Sequence, residues 1–214
     1  SKYKDRILHA VDMRGTVSVI ELSRMLGVSD QTIRRVSQSL VESGNLSKVH
    51  GALVSNRTAT DPPFLARMNL NRDAKVAIAK LTADIIPDNA SVAIDTGSTS
   101  GFIAQALRTK QRLTVVTNSA FVASTLAIIP GNKVSMAGTQ LRDHDGAAFD
   151  RSAFDVIEHM QVDYVVLSAS MVDAERGFLV HEKCEVDIAN AMLKNAAQAI
   201  MAVDQSKFIP QDRK

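Results

Sequence analysis

The sequence predicts a two-part α/β protein, a winged helical module followed by a parallel sheet covered by helices, and three observations predict it. Residues 16–51 carry capping and turn residues at the spacing of two short helices and a wing. From residue 72 onward, short β-rich runs alternate with helical stretches of roughly ten residues. The charge also changes sign. Residues 1–60 hold nine Lys and Arg against five Asp and Glu, and residues 61–214 hold sixteen against eighteen. A basic module beside a slightly acidic one suits a polyanionic partner for the first and a different task for the second.

The module is read element by element. Tyr3 to Asp12 places Ile7, Leu8 and Val11 on one face of a first helix. Ser18 and Glu21 form an S-x-x-E capping box, so a second helix begins at Val19, with Leu22, Met25 and Leu26 on its buried face. Gly27 supplies the left-handed residue that ends it, and Ser29 caps the next helix. That third helix runs from Asp30 to about Ser43, with Gly44 as terminator. Ile33, Val36, Leu40 and Val41 face the core, while Gln31, Thr32, Arg34 and Arg35 lie near its exposed start. Leu46 to about Val54 makes a hairpin wing that carries Lys48 and His50.

A helix whose N-terminal end bears an arginine pair, preceded by a tight turn and followed by a basic wing, is built to enter the major groove of DNA. Ser29, Gln31, Thr32, Arg34, Arg35, Lys48 and His50 are the candidate DNA contacts. A helical hairpin with merely solvated arginines is the competing reading. It leaves the succession of cap, glycine turn, second cap and wing without a purpose.

Ser55 to Pro63 is polar, ends in two prolines and reads as a linker. Beyond it the pattern predicts helices over 75–86, 99–107, 120–128, 152–160 and 184–197. Strands are predicted over 91–95, 113–117, 134–137, 164–167 and 199–203. Ligands of such sheets bind where strands end and helices begin. The informative loop is Asp95-Thr96-Gly97-Ser98-Thr99-Ser100-Gly101, which follows a strand and opens a helix. Small residues let backbone N–H groups close on an anion, hydroxyls add donors, and the helix dipole favours negative charge, so a phosphate is the natural guest. An ordinary turn rich in capping residues is the plainer alternative. Three further strand ends are polar: Thr117-Asn118-Ser119, Ala137-Gly138-Thr139 with Arg142 beyond it, and Asp204-Gln205-Ser206-Lys207.

Composition excludes several classes. The chain has 214 residues, 45% of them hydrophobic but only 4% aromatic, so its cores rest on aliphatic side chains. The lone cysteine, Cys184, excludes an internal disulfide and a cysteine-cluster metal site. No metal or cofactor is expected. No run approaches the ~20 apolar residues of a membrane helix, and no signal peptide opens the chain, so the expected location is the cytoplasm.

Taken together, these residues resemble the DeoR family of bacterial transcriptional regulators, over Tyr3 to about Phe208. The helix-turn-helix pattern V-S-x-x-T-I-R-R is matched by Val28 to Arg35, and the wing pattern R-x-H-G-G-A by Lys48 to Leu53. Pro63-Phe64, Arg67, Lys75, Ile78-Ala79, the D-x-G-S-T loop at 95–99, T-N-S at 117–119 and D-x-S-K-F at 204–208 complete the match. The resemblance implies an N-terminal winged helix-turn-helix followed by a Rossmann-like, ribose-phosphate-isomerase-type α/β effector domain. It implies a repressor that senses a phosphorylated sugar or sugar derivative. By the same resemblance the phosphate sits on Gly97, Ser98, Thr99 and Ser100, with Asn118 and Lys207 nearby and Asp95 fixing the loop. Arg142 and Asp150 are the candidates for the sugar end. Asp150 has two readings, a hydrogen-bond acceptor for sugar hydroxyls or the cap of the helix beginning near Ser152.

The chain departs from the family pattern at Val36-Ser37 (usually Asp-Leu), Ala52 and Asp150 (usually Gly), Ser168 to Asp173 (usually G-x-x-G-I/V-D) and Ala189 (often Lys). Several of these cluster near the expected pocket.

The expected division is a DNA-binding domain over 1–54, a linker over 55–72 and an effector-sensing and oligomerisation domain over 73–214. Operator DNA, the effector and further copies of the chain, as a dimer or tetramer, are the expected partners. A sugar-phosphate isomerase carrying a DNA-binding module is the alternative. Asp95, Asp150, Glu182 and Glu185 offer carboxylates for it and His181 a proton shuttle, but no spacing pairs them for acid–base work. The expectation is therefore not an enzyme. A large domain serving assembly alone would leave the hydroxyl-rich loop unexplained.

Overall fold

The computed structural model describes residues 2–56 and 64–208. The chain divides into two compact units, Ser1–Pro62 and Pro63–Lys214.

The first unit contains α1 (Lys2–Arg14), β1 (Thr16–Ser18), α2 (Val19–Leu26), α3 (Asp30–Glu42), β2 (Leu46–Val49) and β3 (Ala52–Ser55). Both halves of the capping box form at α2: Glu21 N donates to Ser18 Oγ at 3.1 Å and Ser18 N to Glu21 Oε2 at 3.0 Å. Gly27, with φ 66°, ends α2 in the left-handed region, where a β-carbon would be strained. The wing hairpin pairs Val49 with Ala52 and leaves a two-residue loop, His50-Gly51. Both have positive φ, 46° and 82°, the pattern of a type I′ turn.

Ile7, Val11, Val17, Val19, Leu22, Ile33, Leu40, Leu46 and Leu53 form the core of this unit. Two features differ from the sequence reading. Met25 is 44% exposed instead of lying on the buried face. A third strand, β1, joins the wing by pairing Thr16 with Val54 and Val17 with Leu53. Three residues are too few to show a period of two, and their partners lie far along the chain.

The second unit runs α4 (Phe64–Arg67), α5 (Arg72–Ile85), β4 (Ser91–Ile94), α6 (Ser98–Leu107), β5 (Thr114–Thr117), α7 (Ala120–Ala127) and β6 (Lys133–Met136). It continues with α8 (Arg151–Glu158), β7 (Val162–Leu167), β8 (Met171–Asp173), β9 (Gly177–Leu179), α9 (Lys183–Lys194), β10 (Ala196–Met201) and a 3-10 turn at Gln205–Lys207. The main sheet is parallel throughout, in the order β10-β7-β4-β5-β6.

Alternation along the strands sends side chains to two cores. Val92, Ile94 and Val115 pack with Ala79, Ala83, Ile103 and Val122 of α5, α6 and α7. Ala93, Val116 and Val165 pack with Ala153, Ile157, Ile188 and Met192 of α8 and α9. The chain travels outward from β4 through β5 to β6, then returns to β7 on the other side of β4. Strand order therefore reverses beside β4, and the crevice at the carboxyl ends opens there.

Part of the expected linker lies outside the described residues. The part that is described carries α4 and the start of α5. The last helix stops at Lys194 and β10 begins at Ala196, earlier than the periodicity suggested. The short hairpin β8–β9 has no counterpart in the sequence reading.

Candidate functional site

The reading helix α3 is held by its own start. Ser29 Oγ accepts from Thr32 N at 3.2 Å and lies 3.0 Å from Thr32 Oγ1, so both side chains are engaged in capping. Gln31, Arg34 and Arg35 are exposed on the same helix, as are Lys48 and His50 on the wing. Ile33 and Leu40 anchor the opposite face in the core, which fixes which residues can face outward.

In the second unit the loop after β4 leads directly into the start of α6. Gly97 precedes the helix with φ 142°, and a β-carbon there would lie 2.9 Å from Ser168 Oγ. The first intrahelical bond is Gly101 N to Gly97 O at 2.9 Å, so the N–H groups of Ser98, Thr99 and Ser100 stand ahead of the helical ladder. These three residues are buried, and the helix dipole adds to their donors.

The Ser100 hydroxyl is turned away to Asp95, leaving the hydroxyls of Ser98 and Thr99 for a guest. Asp95 also accepts from Ser168 N at 2.8 Å. Burial pushes the Asp95 carboxyl up to about 7, against the hydrogen bonds from Ser100 and Ser168, and the Glu185 charge pushes the same way as burial.

Asn118, at the end of β5, is fully buried. Its Nδ2 donates to Ala148 O at 3.0 Å, while its Oδ1 has no partner. Arg142 is enclosed by carboxylates. It donates from Nε to Asp145 Oδ1 and from Nη2 to Asp145 Oδ2, each at 2.8 Å, to Glu185 Oε1 at 2.9 Å and to Glu182 Oε1 at 3.4 Å. Its guanidinium also stacks 4.3 Å from the Phe149 ring centroid. Arg142, expected at the sugar end, thus also clamps the 142–149 segment to the start of α9.

Asp150 takes the capping role of its two readings. Oδ1 accepts from Ala153 N at 3.3 Å, and Oδ2 accepts from Thr139 N, Thr139 Oγ1 and Gln140 N at 3.1, 2.9 and 3.0 Å. Backbone donation from Thr139 is the largest influence holding its carboxyl well below the usual range.

Lys207 lies half-buried beyond β10, beside a residue whose role the sequence reading missed. Lys75 of α5 is only 3% exposed and donates from Nζ to Arg67 O at 2.7 Å. Burial lowers it to about 8; the Lys207 and Arg67 charges also lower it, and Asp204 opposes them. The cue was present: Lys75 shares a helical face with Ala79, Thr82 and Ala83, where a charge is out of place unless used. Asp145 was also missed, and Ser168 was read only as a departure from the family pattern, because the loop residues they hold, Thr96 and Asp95, are 49 and 73 residues away. A depression of about 330 Å³ lies at the opposite strand ends, lined by Asp88, Asp163, Tyr164 and Gln198 among others. Its charged lining is acidic, which does not suit a phosphate.

A capped reading helix with exposed arginines, joined to a parallel α/β unit whose helix α6 opens on a hydroxyl-rich turn, defines the class: a two-domain transcriptional regulator. Residues 4–59 match the DeoR-like helix-turn-helix domain and residues 70–212 the DeoR C terminal sensor domain. The chain belongs to the DeoR family. It is 31% identical over 202 residues to the glycerol-3-phosphate regulon repressor of Escherichia coli (strain K12), covering 94% of this chain and 80% of that protein. It is 30% identical over 208 residues to the L-fucose operon activator of Haemophilus influenzae, covering 96% and 83%. Among solved structures it is similar to ribose 5-phosphate isomerase A from Neisseria gonorrhoeae, with 17% identity and a TM-score of 0.48. That match covers 65% of this chain and spans only 55% of the enzyme.

Proposed function

We propose that the protein is a cytoplasmic repressor of a carbohydrate operon whose second unit binds a phosphorylated sugar or sugar derivative. The helix start at Ser98–Ser100 carries this reading, because its free N–H groups, the Ser98 and Thr99 hydroxyls and the dipole converge where a phosphate fits. Lys75 and Lys207 at the carboxyl end of the same sheet supply cations. Asp95 and Ser168 hold the loop in shape through the bond between them. The names of the relatives, a glycerol-3-phosphate regulon repressor and a fucose operon activator, support the substrate class.

In the first unit, Gln31, Arg34, Arg35, Lys48 and His50 contact operator DNA, with Ser29 and Thr32 fixing the helix start. Two copies or four serve a two-fold operator. The unit is read as a sensor of its ligand: Asp145 is locked by Arg142 and Asp150 by backbone amides, so neither of these two carboxylates is poised for proton transfer.

A thermal-shift titration with sugar phosphates and their unphosphorylated parents tests the reading. A ligand that binds only the folded state raises the melting temperature with concentration. Stabilisation confined to phosphorylated compounds, and lost in Thr99→Ala, is the expected result. Equal stabilisation by parent sugars would remove the phosphate from the reading, and measurable isomerisation of a bound compound would make the protein an enzyme.

A further inference from the structure

Beside the phosphate loop the structure gathers groups that accept hydrogen bonds and few that donate them. Three carboxylates, Asp145, Glu182 and Glu185, converge on Arg142, a formal excess of two negative charges among these four side chains. The cluster adjoins the loop itself, since Thr96 Oγ1 donates to Asp145 Oδ2 at 3.3 Å.

An independent observation points to a missing donor. Ile94 pairs with Thr117 in the sheet register, so the next residues, Asp95 and Asn118, stand side by side at adjacent strand ends. The preceding pair on the same face, Ala93 and Val116, lies in the core beneath α8 and α9. Asp95 and Asn118 therefore face the side where Glu182 and Glu185 open α9. Ala148 O can only accept, so Nδ2 of Asn118 must turn to it, and Oδ1 is left as a fully buried acceptor without a donor. Buried acceptors left unmade are costly, and their survival calls for a partner that arrives with the ligand.

Resting on the sugar-phosphate reading above, we infer that the effector carries an ammonium group at the end opposite its phosphate, so that the sensor recognises a phosphorylated amino sugar. A neutral hydroxyl meets the orphan acceptor but leaves the excess negative charge unanswered. An ammonium supplies three donors and one positive charge to Asn118 Oδ1, Asp95 and the Glu185 side of the cluster. N-acetylation removes that charge and adds bulk.

The test is a fluorimetric melting titration of the full chain with glucosamine 6-phosphate, galactosamine 6-phosphate, their N-acetyl forms and the matching hexose 6-phosphates, with inorganic phosphate as control. The expected result is at least a tenfold preference for one amino sugar phosphate over both its hydroxyl and N-acetyl counterparts. Glu185→Gln, whose one oxygen can still accept from Glu182 N to cap α9 while the contact with Arg142 is given up, should erase that preference while phosphate-dependent stabilisation persists. Equal response to amine and hydroxyl would overturn this inference alone and leave the sugar-phosphate reading standing. No response to any phosphorylated sugar would overturn both. A preference that survives Glu185→Gln and Asn118→Ala together would place the amine elsewhere and overturn the assignment.

Discussion

Asp95 and Ser168 tie together the carboxyl ends of neighbouring strands β4 and β7, the Ser168 N–H donating to Asp95 Oδ2 at 2.8 Å. Ser168 Oγ also sits where a β-carbon on residue 97 would have to go, which is why the loop between them needs glycine. The bond spans the point where strand order reverses, so it sets the width of the crevice.

The burial of Asp95, which this bond opposes, has a pH consequence. Asp95 is raised from 3.8 to about 7 in the folded chain, so between those values the folded state holds a proton that the unfolded state has released. Stability from this group is full below about pH 4 and is lost as pH rises through about 7. Asp95→Asn should flatten that part of the profile, read from urea midpoints at pH 4.5, 6 and 7.5. A wild-type profile with no fall across the window would contradict the argument.

The two units should separate by mutation. Arg34→Ala and Arg35→Ala are expected to weaken operator binding by roughly tenfold or more and to lower the salt dependence by about one phosphate contact each. The melting response to ligand should stay intact. Thr99→Ala should do the reverse, losing ligand stabilisation with DNA affinity retained in its absence. Gel-shift and melting measurements on the same preparations check this, and damage to both activities by each variant would refute the division.

Lys75 is a buried cation whose burial costs stability unless a ligand repays it. Lys75→Met keeps the volume and removes the charge. The free protein should be as stable as wild type or more so, and affinity for the phosphorylated ligand should fall about tenfold or more. A destabilised apo-protein with unchanged ligand affinity would make Lys75 purely structural.

Gly138 is the residue that lets Asp150 cap α8. A β-carbon there would approach Ala148 Cβ to 2.3 Å and Asp150 Oδ1 to 2.6 Å, at φ 100°. Gly138→Ala should cost about 3 kcal/mol in chemical denaturation, from overpacking added to a strained backbone. A cost below about 1 kcal/mol would show that the segment relaxes freely.

Local chemistry was legible in the sequence, because capping, turning and burial depend on residues three or four apart. Ser18 with Glu21, Gly27, Ser29 and the glycine loop after β4 all did what their neighbours dictate. So did the alternation of strand and helix, since each element must bury one face. What the tertiary structure alone decided are pairings across long stretches of chain. Thr16 with Val54, Asp95 with Ser168, Arg142 with Glu185 and Lys75 with Arg67 O are set by how elements stack, and no periodicity announces them. The same holds for the surroundings of two candidate site residues. Arg142 and Asp150 are polar residues at strand ends by sequence, but only the packed fold shows one held by carboxylates and the other by helix and loop amides. A side chain's availability is fixed by who else reaches it, and that is a property of three dimensions.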